Sequence, residues 1–283
     1  MTILVTGASG LLGSHVVQQL VKTNHHIVVS IMPTEKTTYK PLPSVEVVLN
    51  DDIYAGRVRN IDVVIHCAFS RSNDPQDLAN GLDFTAKILQ GFEKCGVKAV
   101  INISSQGVYK RLPNNELSSE DSPIEPIDLY SMTKYAIEKL FLCSQVPQVT
   151  NVRLASLNMK QRFLYKFVEA AKKGQPILVK SPQVYASILD VNDAAKALVA
   201  LALTSTQQWA DTYNVGLGAH YSLLQYAYLV KEVADTLGYH TDVIVEDNGT
   251  VSSAGMSIER LHQLTGWQPI VSTQAMIEQL FTI

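Results

Sequence analysis

Tyr130 and Lys134 form the residue pair in this chain best suited to moving a proton. They bracket Tyr130-Ser131-Met132-Thr133-Lys134, at the head of an apolar-periodic run through Ile137, Leu140 and Phe141 that predicts a helix. Residues four apart on a helix share a face, so both side chains can enter one space. A free phenol titrates near pKa ~10 and is a poor base at neutral pH. A fixed ammonium beside it favours the phenolate, so the spacing predicts a Tyr130 whose pKa is lowered by Lys134. The pattern is common by chance, and an aromatic ring packed on a lysine stem satisfies it equally well. A cofactor site, a partner hydroxyl and a rigid frame must come from the rest of the chain.

The frame begins at the N-terminus. Thr2–Thr6 is a short apolar and β-branched run, followed by Gly7-Ala8-Ser9-Gly10-Leu11-Leu12-Gly13 and then a helical pattern through Val16, Val17, Leu20 and Val21. In a strand–turn–helix, Gly7 permits the turn, Gly10 lets a pyrophosphate approach the backbone, and Gly13 lets the helix pack on the strand. Free N–H groups at the helix start favour the anion. The spacing is Gly-x-x-Gly-x-x-Gly. Strands are expected at His26–Met32, Val45–Leu49, Asp62–His66 and Ala99–Ile103, with an amphipathic helix over Leu78–Cys95 ended by Gly96. Within the run Asp62–His66, Val63–Ile65 is continuously apolar, as in a strand buried on both faces. The alternation predicts an α/β fold with a doubly wound parallel sheet.

Several positions at the ends of these strands invite chemistry. No acid stands at the end of the second strand; Glu35 could reach a ribose by loop rearrangement, while Lys36 or Ser30 could meet a 2′-phosphate, so NAD and NADP both remain open. Asp52, with Ile53, follows the third strand where an adenine would lie, and a helix-capping aspartate explains it equally well. His66 reads as a satisfied strand-end histidine; Cys67 and Ala68 follow it beside the cofactor path. The fifth strand delivers Ser104 and Ser105 to the carboxyl edge, where ligands bind in this architecture. A polar loop, Leu112–Pro126, covers the approach to Tyr130.

Bulk properties exclude other classes. With 283 residues and a net charge of −3, there is no electrostatic case for nucleic acid or for an acidic membrane surface. The three cysteines, Cys67, Cys95 and Cys143, are far apart and suggest neither a disulfide framework nor a zinc site. The N-terminus lacks a basic leader, and no apolar run approaches the ~18 residues of a spanning helix, so the expectation is a cytoplasmic protein acting on a small molecule.

Taken in order, these motifs resemble the extended short-chain dehydrogenase/reductase family in its NAD-dependent epimerase/dehydratase branch. The matching pieces are Thr6–Gly13, Asp52-Ile53, Val64–Ala68, Ser104-Ser105 with Val108-Tyr109, Tyr130–Lys134, Leu189–Asp193, Tyr213–Gly216 and Thr265–Pro269. The resemblance implies a Rossmann-like domain over residues 1–150 and a smaller α/β substrate lobe over 151–283, interleaved with the sheet. It implies that Ser105 hydrogen-bonds the reacting oxygen, that Tyr130 exchanges its proton, and that Lys134 binds the nicotinamide ribose. The cofactor-binding set would be Gly7, Ser9, Gly10, Leu11, Leu12, Gly13, Asp52, Ile53, Cys67, Ala68, Ser104, Tyr130 and Lys134, with no metal. For Ser104, lining the cofactor and supporting the backbone are equal readings. A homodimer through the helices at Leu78–Cys95 and Tyr130–Cys143 is also implied.

The family pattern fails in three places. Gln106-Gly107 stands where dehydratases carry Asp-Glu, which argues against 4,6-dehydration. Ser156 replaces an Asn, with no Tyr-Gly-Pro after it. The lobe arginine that clamps a diphosphate falls near Ala186, a large loss of charge-assisted bonding; Lys160, Arg162 and Lys180 could substitute as point charges. Three readings follow: an oxidoreductase on a carbonyl or hydroxyl compound, a nucleotide-sugar epimerase or 4-reductase with a rebuilt, sugar-binding pocket, and a non-catalytic cofactor-binding regulator. In the lobe, a helix is expected at Phe163–Lys172, strands at Ile177–Val179, Val184–Leu189, Tyr213–Val215 and Val243–Val245, and helices at Asp193–Leu203, capped by Asn192 or Asp193, and Leu223–Leu237.

Overall fold

The strand that follows the N-terminal residue lies inside the sheet, third from one edge. In the computed structural model, which describes residues 1–36, 40–69, 71–113, 116–158 and 163–282, β1 (Thr2–Thr6), β2 (His26–Ile31), β3 (Val45–Leu49), β4 (Val63–His66), β5 (Ala99–Ser105) and β6 (Gln148–Leu154) join the strand Thr212–Val215 in a seven-stranded sheet. The order is β3-β2-β1-β4-β5-β6 followed by Thr212–Val215, and every pairing is parallel. The chain moves outward from β1 to β3, then crosses back to β4. That reversal opens a crevice beyond the carboxyl ends of β1 and β4, the position where open α/β sheets bind ligands.

Helices cover both faces, which is why β4 and β5 are apolar and buried on both sides. On one face α1 (Leu11–Leu20) and the helix Val191–Ala202 enclose Val5, Val16, Leu20, Ile65 and Leu198. The short α2 (Asn50–Tyr54), α3 (Pro75–Cys95) and α4 (Leu129–Leu142) enclose Leu4, Ile53, Val64, Phe92, Ile137 and Phe141 on the other. Asp74 caps α3 by accepting from the Gln76 and Asp77 amides, Pro75 preorganises its first turn, and Gly96 ends it at φ +69°. A separate core of Leu164, Phe167, Tyr226, Val230 and Ile277 holds the C-terminal lobe together.

Most expected elements form within a residue or two. β5 runs on through Ser104 and Ser105, so both serines lie on a rigid strand rather than after it. The stretch expected as one strand from Val184 to Leu189 is two, Val184–Ala186 and Ile188–Leu189, because each half pairs with a different partner. The helix Val191–Ala202 is capped by Asp190, which accepts from the Asn192 amide, and not by Asn192 or Asp193. Asp193 is fully buried and instead accepts from the Ile270 and Val271 amides, tying the C-terminal segment down.

Candidate active site

A cleft of about 300 Å³ opens at the crevice and is walled by three elements of the large sheet's layer. The start of α1 contributes Gly10, Leu11 and Leu12; the end of β5 contributes Ile103, Ser104 and Ser105; α4 contributes Tyr130, Ser131 and Lys134. Cys67, Phe69 and Arg71 come from the segment after β4, and Ala155, Ser156 and Leu157 close the far side. The structure thus brings Ser105, Tyr130 and Lys134 into one space with the glycine loop.

The loop is built by close backbone approach. A Cβ on Gly13 would lie 2.1 Å from the Gly7 carbonyl oxygen. Gly7 itself has φ +66°, and a Cβ there would meet the Ala68 backbone at 2.8 Å. The Gly10 amide donates to the Gly7 carbonyl (3.0 Å), closing the turn. No side chain caps α1 and no acid stands in its first turn, so its leading N–H groups point into the cleft with their partial positive charge available to an anion.

Beyond the loop, Glu35 needs no rearrangement to arrive. Ser9 Oγ donates to Glu35 Oε1 (2.5 Å), while Glu35 Oε2 accepts from the Met32 amide (2.8 Å). Ala8, Ser9, Glu35 and Lys40 line a second cavity next to the first. Asp52 and Ile53 are placed elsewhere. The Asp52 carboxylate accepts from Arg57 Nε (2.9 Å) and Nη2 (2.7 Å) and from the Leu49 amide (3.1 Å), contacts that hold its carboxyl below the usual range. Ile53 is buried in the core under α3.

Lys134 is 4% exposed, and its Nζ donates to the Ile103 carbonyl at 2.5 Å with the Phe69 ring 4.3 Å away. Burial lowers its pKa to about 8, opposed by Cys67 and Glu138. The expected depression of Tyr130 is reversed. Desolvation raises the Tyr130 pKa, with Arg71 pulling it down and Asp128 pushing it up. Lys134 is turned toward Ile103 and Phe69, and the cation over the Tyr130 ring is Arg71, 5.6 Å from the centroid. Ser105 Oγ accepts from the Gly107 amide (3.1 Å), leaving its own proton for a ligand. A Cβ on Gly107 would come within 2.3 Å of Ser131 Oγ, so a larger residue there would force the Ser131 hydroxyl to move.

Of the two residues that end β4 and follow it, His66 is held within the fold, while Cys67, one of the expected cofactor-side residues, lines the cleft. His66 is buried, bonded through Nδ1 to Thr6 Oγ1 (2.8 Å), and burial depresses its pKa to about 3. Cys67 stays a thiol because burial pushes it up to about 12. Ser104 both faces the cleft and donates to Glu138 Oε1 (2.5 Å), which also accepts from Arg153 Nε (3.0 Å); Arg153 Nη2 bonds Glu138 Oε2 at 2.8 Å. This buried network ties α4 to β5 and β6. Sequence reasoning missed it, although Glu138 stands one turn beyond Lys134 on the same helix face. Gln106 and Ser156, two of the departures from the family pattern, touch each other: Gln106 Nε2 donates to Ser156 Oγ (3.1 Å). Neither Ala186 nor Lys180 lines the cleft; Lys160 and Arg162 lie outside the described residues. No cluster of metal-ligating side chains occurs among the described residues.

The chain is similar to known proteins along its whole length. A putative UDP-glucose 4-epimerase of Methanocaldococcus jannaschii is 25% identical, covering 98% of this chain and 96% of that one. The solved UDP-glucuronic acid 4-epimerase from Bacillus cereus, in complex with UDP-glucuronic acid and NAD, matches with a TM-score of 0.80 at 20% identity over 100% of this chain and 98% of that one. The Thermus thermophilus UDP-glucose 4-epimerase complex with NAD matches at 0.78 and 23%, with the same coverage. Residues 3–216 match the model of one family, and the chain therefore belongs to the NAD dependent epimerase/dehydratase family.

Proposed function

We propose that this protein is an NAD-dependent epimerase that inverts a hydroxyl-bearing carbon of a nucleotide-linked sugar through a transient ketone. The observation that carries the reading is the convergence of Ser105, Tyr130 and Lys134 on one cleft with the uncapped start of α1, and with no carboxylate pair after Ser105.

The residues present fit a dinucleotide. The N–H groups of Leu11 and Leu12, at the start of α1 on the cleft wall, suit a pyrophosphate. Glu35, anchored on the loop by Ser9, suits a ribose 2′-hydroxyl and would repel a 2′-phosphate, which favours NAD over NADP. Lys134, lifted off the Ile103 carbonyl, suits the nicotinamide ribose hydroxyls. Bound NAD would take a hydride from the substrate carbon and return it. Tyr130 Oη takes the proton from the substrate hydroxyl and later gives it back. Ser105 donates a hydrogen bond to the same oxygen and fixes it within reach of Tyr130. The Lys134 ammonium, moved toward the ribose, favours the phenolate and offsets the desolvation that raises the Tyr130 pKa. Without acids at positions 106 and 107, nothing placed beside Ser105 removes a neighbouring proton for elimination.

A second reading, a dehydrogenase or reductase of a compound with no diphosphate, rests on Ala186 in place of the lobe arginine. One experiment separates the two. Purified protein is mixed with NAD and UDP-glucose or UDP-glucuronic acid, and products are resolved by chromatography while the nicotinamide absorbance is followed. An epimer with no net reduction of NAD supports the proposal. Net reduction moves the assignment to a dehydrogenase, and no turnover of either sugar refutes it. The exposed Leu129, Met132 and Leu140 on α4 suit a homodimer through the α3–α4 face. No described helix is long and apolar enough to cross a membrane.

A further inference from the structure

Seven arginines occur in the sequence, and six lie among the described residues. Five of these six have partners. Arg57 is paired with Asp52, Arg153 with Glu138 and Arg260 with Asp121; Arg59 donates to the Lys94 carbonyl, and Arg71 lies over the Tyr130 ring. Arg111 differs. No hydrogen bond or ion pair from a described residue reaches its guanidinium. It is nevertheless half-buried and lines the catalytic cleft with Ser105 and Tyr130. Burial pulls its pKa below the ordinary guanidinium value, and Asp128 opposes this at a distance. The Asp128 carboxylate is committed elsewhere: it caps α4, accepting from the Ser131 amide at 2.7 Å. A cation withdrawn from water without a partner is costly to keep.

The position of Arg111 says which end of the cleft it serves. It follows β5 by six residues and also borders a smaller hollow lined by Ser118, Ser253, Gly255 and Met256. That hollow lies on the lobe side, and the glycine loop contributes nothing to it. An anion held by Arg111 is therefore on the substrate and not on the cofactor's pyrophosphate. The planar fork of a guanidinium matches two oxygens of a carboxylate or phosphate.

We infer that Arg111 is the anion-binding residue of the substrate subsite. It takes a carboxylate or phosphate group of the molecule oxidised at Tyr130, from the large-sheet side of the cleft. This would supply from the β5–α4 connection a charge that the lobe lacks at Ala186. The inference rests on the reading of the cleft as the substrate site.

The test uses the NAD-loaded protein and calorimetric titration of three probes: UDP-glucuronic acid, UDP-glucose and inorganic phosphate. Arg111→Gln should weaken at least one probe by about tenfold to a hundredfold, the span of a lost charge-assisted hydrogen bond. Its NAD affinity should stay near wild type, which also checks folding. Arg111→Lys keeps the charge without the fork and should fall between the two; it carries the test should the Gln variant not fold. A loss confined to UDP-glucuronic acid identifies a sugar carboxylate as the bound group, and an equal loss with UDP-glucose identifies a phosphate. Unchanged affinity of both variants for all three probes overturns the inference, as does a wild type that binds none of them. Turnover is read separately on the wild type. Epimerisation with Arg111-independent binding would refute this inference alone, and Arg111-dependent binding without turnover would refute the epimerase reading alone.

Discussion

Replacing Lys134 by Met should make the cofactor-free protein more stable while abolishing its chemistry. Lys134 is 4% exposed, and burial lowers its pKa from 10.5 to about 8. At pH 7 the lysine is charged in both folded and unfolded chains, so the folded state carries the whole desolvation penalty, about 3 kcal/mol. Against this stand the bond to the Ile103 carbonyl, about 1 kcal/mol, and the contact with the Phe69 ring, about 0.5–1 kcal/mol. Met fills much of the same volume without a charge, so the variant should gain about 1–2 kcal/mol at pH 7. The sign fixes the pH dependence. Between pH 8 and 10.5 the unfolded chain holds more protons than the folded one, so wild-type stability rises relative to the variant across that window and the gap closes. Urea denaturation followed by circular dichroism at pH 7 and pH 10 measures both values. A variant less stable than wild type at pH 7, or a gap that persists at pH 10, would refute the claim that Lys134 is held against its own solvation cost. A stabilising substitution at Lys134 is the signature expected if the residue is retained for function.

Tyr130→Phe should leave NAD affinity near wild type and reduce turnover by about 10²- to 10⁴-fold, read by steady-state kinetics beside a cofactor titration. For Gly13→Ala, the 2.1 Å approach of the new Cβ to the Gly7 carbonyl should cost at least about 2 kcal/mol of stability and displace the loop, so both the melting temperature and NAD binding fall. Glu35→Ala should weaken NAD and narrow its advantage over NADP; an unchanged NAD/NADP affinity ratio would remove Glu35 from the ribose site. Glu138→Gln leaves the Arg153 guanidinium buried without its counter-charge and should destabilise the fold by about 3–5 kcal/mol in the same urea assay.

How much of the site was legible in the sequence depended on how local each feature is. The Tyr130–Lys134 spacing and the glycine loop are local. A helix repeats every 3.6 residues, and the requirement for Gly13 is a collision six residues away, so both were readable from a few consecutive letters. Ser105 was legible because a strand end in a parallel sheet is a ligand edge whatever its neighbours are. Glu35 was harder. The sequence put an acid near the second strand, but only the path of the chain after Ile31 showed that its carboxylate already reaches Ser9. For Asp52 an adenine contact and a capping role were equal readings in the sequence; only the structure shows its carboxylate bonded to Arg57 and to the Leu49 amide at the start of α2.

The amino-acid sequence by itself determined the order of strands and helices along the chain, the glycine turn and the types of group that meet at the cleft, since each follows from backbone propensity and periodicity within a single element. Only the tertiary structure decided the electrostatics of that edge. Tyr130 is pushed up and not down, Lys134 lies under Phe69 rather than beside the phenol, and among the described arginines Arg111 alone stands without a partner in the cleft. A pKa and an unpaired charge reflect everything packed around a group: Phe69 and Arg71 reach Tyr130 from the connection after β4, and Arg111 shares the cleft with it. Their placement is set by the long-range packing of the sheet and its helices, which no short stretch of sequence contains.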